Sequence, residues 1–126
     1  MAYTLCNLAD TARTLGDYAM AEAQFAESLT LLQELGDKNG VAACLEGLAE
    51  TAGAQGQPER CARLFGAAEA LREVIGTVLT PPERADYDRA IMSARAALGD
   101  AAFQAAWTVG QSLSLEQAVA SALEMS

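Results

Sequence analysis

Histidine is absent from this 126-residue chain, and lysine occurs once, at Lys38. Without histidine, neither a Ser/His/Asp triad nor a Cys/His nucleophile can be assembled. The three cysteines, Cys6, Cys44 and Cys61, are odd in number and widely spaced, and none forms a C-x-x-C pair. That pattern speaks against a disulfide framework and a zinc site, and leaves the cysteines as small buried residues. No cofactor or metal is implied. Runs of Val, Ile and Thr, which strands would use, are missing. No stretch reaches the roughly 18 consecutive apolar residues of a membrane-spanning helix. Met1 to Cys6 lacks the charged and apolar regions of a signal peptide, so the expected location is cytoplasmic.

Cationic charge is also scarce. The net charge is −9, with a pI near 4.3. All the arginines except Arg13 follow residue 59, where acids accompany them. Duplex nucleic acid requires several cations to displace its counterions, and anionic membranes require a basic patch. Neither partner suits this composition.

What the chain does contain is apolar residues, 52% of the total, enough for the core of one small domain. Alanine, the strongest helix former, is abundant. The fold class is therefore expected to be all-α, with about seven helices. An internal repeat orders them. Shifted by 40 residues, the sequence meets itself at Ala2/Ala42, Leu5/Leu45, Leu8/Leu48, Ala9/Ala49, Thr11/Thr51, Ala12/Ala52, Gly16/Gly56, Phe25/Phe65, Leu31/Leu71 and Gly36/Gly76.

Each copy reads as two helices. Leu5, Leu8, Ala9 and Ala12 fall on one face of the first. Gly16 and Gly56 end the first helices as left-handed caps. Asp17 caps the second helix of copy one, and Pro58 enters the first turn of its counterpart. Ala21, Phe25 and Ser28 form an inward stripe that Cys61, Phe65 and Ala68 repeat. Gly36 and Gly76 close the copies. The pattern Leu8-Ala9 and Leu48-Ala49, then Gly16 and Gly56, then Tyr18, then small–Phe–small resembles the tetratricopeptide motif. That resemblance implies an α-α superhelix of antiparallel helix pairs. Pro58 in place of the second aromatic and a period of 40 rather than 34 depart from the motif.

Residues 1–36 and 37–76 are thus two repeats, and residues 77–126 a divergent helical C-terminal cap. Thr80 with Glu83 and Ser114 with Gln117 form capping boxes. Gly99 and Gly110 are expected to stop helices, with Asp100 opening the one between them. Phe103 and Trp107 read as core rather than as a ligand stack. Asp86 and Asp88 read as a solvated face rather than as a catalytic pair.

Several strings are more specific. Cys44-Leu45-Glu46-Gly47-Leu48-Ala49, the run from Arg63 to Arg72, Pro81-Pro82-Glu83-Arg84, the run from Ala94 to Gly99, Ala106-Trp107, and the run from Ser114 to Val119 resemble the C-terminal repeats of bacterial STAND/LuxR-type transcriptional regulators. The resemblance implies a non-catalytic protein-interaction or signal-sensing segment of such a protein. The G-x-x-x-x-G-K-[ST] loop of the family's nucleotide-binding domain is not in this chain, nor is a basic recognition helix.

In the tetratricopeptide fold, first helices line a groove that holds ligands. The expected groove residues are Asn7, Asp10 and Arg13 from copy one and Glu46 and Glu50 from copy two. Glu46 and Glu50 make a basic or neutral protein or peptide the expected partner. A small-molecule effector pocket is the alternative. Weak homodimerisation through the first helix pair is also expected, because Tyr3, Leu5 and Leu8 would face a neighbouring repeat.

Overall fold

A computed structural model of the chain describes residues 11–12, 15–77, 79 and 81–124. Six helices run through them, with no strand among the described residues. In chain order these are α1 (Tyr18–Leu35), α2 (Lys38–Ala54), α3 (Pro58–Ile75), α4 (Pro81–Leu98), α5 (Asp100–Gln111) and α6 (Leu115–Glu124). Thr11 and Ala12 are helical too. Otherwise the expected first helix, with Cys6, Asn7, Asp10 and Arg13, lies outside the described residues.

Local signals set the helix ends. The Asp17 carboxylate accepts from the Met20 N–H at 3.2 Å and starts α1. Asp37 does the same for α2, accepting from the Gly40 N–H at 2.9 Å. Pro58 opens α3, where its missing N–H leaves no bond unmade. Gly36 and Gly76 close α1 and α3 at φ 72° and 74°, a conformation other residues adopt only under strain. At α6, the Ser114 N–H donates to Gln117 Oε1 at 2.9 Å and the Gln117 N–H donates back to Ser114 Oγ at 3.2 Å. This is the reciprocal box that the spacing predicts. The side chains of the box expected at Thr80 and Glu83 lie outside the described residues.

The core follows the two stripes. Ala21, Phe25, Ser28, Leu29 and Leu32 of α1 are buried, as are Cys61, Leu64, Phe65 and Ala68 of α3. Between them α2 buries Leu45, Leu48, Ala49 and Ala52, and it packs against both neighbours. Phe25 presses its ring on Gly47, where a Cβ would clash with the ring carbons, so α1 and α2 approach more closely than any side chain at 47 would permit. Forty residues on, Phe65 meets the edge of Tyr87 at 5.0 Å, with the rings at 77°.

Past α4 the chain leaves the pairing pattern. Helix α5 packs chiefly on α3 and only lightly on its sequence neighbour α4. The crossing is made by glycines. A Cβ on Gly66 would meet the Trp107 backbone (its carbonyl carbon at 3.2 Å), and one on Gly110 would run into the Arg63 carbonyl, with the Ala67 nitrogen at 3.0 Å. The expectation that Gly110 stops a helix is therefore corrected. Helix α5 continues to Gln111, Ser112 caps it, and Gly110 is buried against α3. Helix α6 then folds back across α1, α2 and α3 together.

Candidate binding groove

The first helices that would line a groove are α2 and α4, and a cleft of about 460 Å³ separates their exposed faces. Glu50, Gly53 and Ala54 form one wall, and Asp86, Arg89, Ala90 and Ser93 the other. Glu50 is half-buried. Asp86 and Arg89 pair with each other, one turn apart on α4, and both are exposed. Exposed pairs of this kind contribute little to stability but fix the local charge pattern.

Glu46 stands one turn before Glu50 and has a different role. Its carboxylate accepts two hydrogen bonds from Arg72 of α3, from Nε at 2.6 Å and from Nη2 at 2.7 Å. Both side chains are close to nine-tenths buried. Arg72 Nη1 also donates to Asn39 Oδ1 at 3.3 Å and to Thr77 Oγ1 at 3.2 Å. A two-pronged arginine–carboxylate contact is the strong form of ion pair. It ties the middle of α2 to the last turn of α3 and leaves little net charge there. Of the acids expected to mark the groove, Glu50 lines the cleft, while Glu46 faces Arg72. Asn7, Asp10 and Arg13 lie outside the described residues.

Sequence reasoning did not find Arg72. It stands 26 residues from Glu46, and no local pattern links the two. The aromatic cluster was half found. Trp107 stacks on Phe103 at 5.8 Å and meets Tyr87 edge-on at 6.4 Å. Tyr87 donates its hydroxyl proton to Glu69 Oε2 at 2.9 Å. Burial, and next that bond, hold the Tyr87 phenol above its ordinary range.

Behind the cleft, Cys61 lies beneath Gly53, its sulfur 3.3 Å from where a Cβ would stand. Burial pushes its thiol up to about 12, Glu50 adding to the effect and a backbone bond from Gly53 opposing it. An unfolded thiol ionises near 9.0. Between those values the unfolded chain loses the proton and the folded chain keeps it. The contribution is therefore complete below about pH 8.5 and declines as pH rises, by at most about 1.4 kcal/mol per pH unit. Urea titrations from about pH 8 to pH 10 should show this fall, and Cys61→Ala should flatten it. Equal slopes for the two proteins would contradict the assignment.

The described residues hold no cluster of three or more His, Cys, Asp or Glu able to bind a metal, and no helix among them is long and apolar enough to cross a membrane. Residues 1–73 match the family model described as tetratricopeptide repeat. The chain is 34% identical, over 120 residues, to proteins of Mycobacterium bovis and of two strains of Mycobacterium tuberculosis named as HTH-type transcriptional regulators. The match covers 95% of this chain and 13% of each regulator. No solved structure matches the chain.

Proposed function

The chain belongs to the tetratricopeptide repeat family, and from that premise we propose that it serves as a non-catalytic, protein-interaction or signal-sensing segment of a bacterial transcriptional regulator of STAND/LuxR type. The observation that carries the regulatory part is the likeness to the mycobacterial regulators along 95% of the chain. The interaction part rests on the family and on the open cleft between α2 and α4. Such a regulator would carry a nucleotide-binding domain in the same reading frame. Sequencing that frame tests the context, and a frame without such a domain would overturn it.

For the cleft we propose a basic or neutral peptide. Glu50 places a carboxylate on one wall, and Asp86 and Arg89 pair with each other on the other. Fluorescence anisotropy with a Lys/Arg-rich peptide and an Asp/Glu-rich one provides the test. The basic peptide should bind more tightly and weaken as salt rises. Glu50→Gln should loosen it by about two- to fivefold, the worth of one partly exposed charge. Equal or stronger binding of the acidic peptide would reject the reading.

A second reading, a small-molecule effector site, has its own observation. A cavity of about 390 Å³ lies where α2, α3 and the α5–α6 turn meet. Leu45, Leu71, Val74, Leu113 and Leu115 line it, together with the polar Lys38, Gln111, Ser114 and Glu116. An apolar body with a few polar groups is what such a lining accepts.

A further inference from the structure

Helix α5 packs only lightly on α4, and a pit of about 120 Å³ opens where the two meet α3. Glu69 of α3, Tyr87 and Arg95 of α4, and Phe103 and Trp107 of α5 line it. Along α4 its lining residues recur every four positions, at Tyr87, Ile91 and Arg95. They lie about half a turn around the helix from the cleft residues Asp86, Arg89, Ala90 and Ser93. The pit is therefore separate from the α2–α4 cleft and does not depend on the reading given to it.

Its walls attract cations. A ring face carries negative potential, and a guanidinium over it is stabilised. Two of the chain's own arginines are placed in this way, Arg84 at 5.1 Å from the centre of the Tyr87 ring and Arg95 at 4.6 Å from that of Phe103. Each has a carboxylate of its own, Asp88 at 3.4 Å from Arg84 and Asp100 at 3.9 Å from Arg95. Trp107 belongs to the ring type that attracts cations best. It is half-buried, and no cation lies over it among the described residues. Glu69 breaks the balance of charge. Its carboxylate is half-buried, and the Tyr87 hydroxyl donates to Oε2 at 2.9 Å. No arginine or lysine pairs with it among the described residues. A carboxylate partly withdrawn from water is stabilised by a counter-ion, which a neutral hydroxyl does not supply. The Tyr87 bond holds Glu69 at the pit and leaves Oε1 open to a second donor. With both arginines already matched, the pit is short of one positive charge.

We propose that the pit is an anchor site for one arginine side chain of a partner protein. Its guanidinium is planar, lies against Trp107 and donates to Glu69 Oε1. The volume suits a single side chain rather than a stretch of backbone. An arginine desolvated among aromatic rings is a common make-up of an interface hot spot.

Trp107 is the only tryptophan, so its emission reads the pit directly. The probe is N-acetyl-arginine amide, with the citrulline analogue as an uncharged control of the same shape. The arginine compound should change the emission saturably and bind on the order of tenfold more tightly than the citrulline one. Glu69→Gln keeps an oxygen acceptor for Tyr87 and removes the charge, so it should abolish that preference. Glu50→Gln, in the cleft, should leave it intact. Equal binding of the two compounds by wild type needs no variant and would overturn the proposal, as would a response that never saturates. A preference lost in Glu50→Gln but kept in Glu69→Gln would put the arginine in the cleft and reject the pit.

Discussion

Phe65→Ala is expected to lower the unfolding free energy by roughly 3–5 kcal/mol, the range for emptying a buried phenylalanine site. Phe65 is fully buried in α3 and carries the contact to α4, through the Tyr87 ring edge at 5.0 Å. Removing it takes away transferred apolar surface and one side of an aromatic pair, and leaves a void between two helices. Phe25→Ala should cost a similar amount. There the ring rests on Gly47, and a glycine has no side chain to move into the space, so the cavity cannot fill by a rotamer change. A domain of this size has about 5–15 kcal/mol in total. Either variant should therefore shift the urea midpoint by a large fraction, and both together should leave little folded chain. A loss below about 1 kcal/mol for both would mean that the two rings are not equivalent core positions.

The equivalence of those rings was legible in the sequence because every signal behind it is local or periodic. Asp17, Pro58, Gly36 and Gly76 act within one turn of their own positions, and the 40-residue shift aligns one copy on the other. The Ser114/Gln117 box is equally local. What could not be read depends on which helices meet. Residues 77–126 read as a divergent cap, and that reading assigns α5 no partner; it packs chiefly on α3. Nothing within α5 states its partner.

The candidate groove shows the same boundary. Glu46 and Glu50 are four residues apart, so at 100° per residue they differ by about 40° around the helix. They read as one acidic face. That angle is enough to turn Glu46 to Arg72 of α3 while Glu50 lines the cleft to α4. The arginine that takes up the charge of Glu46 comes from the last turn of α3. Only the packed arrangement of α2 on α3 brings it there.

Gly110→Val should be the most damaging change in the C-terminal third, because a glycine can serve two unrelated purposes and this one serves the second. Gly99 has φ 85° with nothing near its missing Cβ. It is needed for backbone conformation, and Gly99→Ala should cost about 1–2 kcal/mol of left-handed strain. Gly110 is helical and is needed for proximity. The atoms its Cβ would strike are the Arg63 carbonyl and the Ala67 nitrogen, both backbone of α3. A side chain could rotate away, but helical backbone cannot, so the whole of α5 has to lift. That separates Gly66 from the Trp107 backbone and exposes Phe103, which is buried in the packed arrangement. Overpacking commonly costs 1–3 kcal/mol, and more where nothing can yield, so about 3 kcal/mol or above is expected. Trp107 is the only tryptophan and sits on the moving helix. Its emission should shift to the red in Gly110→Val and stay unchanged in Gly99→Ala. Urea melts followed by that fluorescence compare the two variants directly. A Gly110→Val protein as stable as Gly99→Ala, with unshifted emission, would show that α5 does not cross α3 at this glycine.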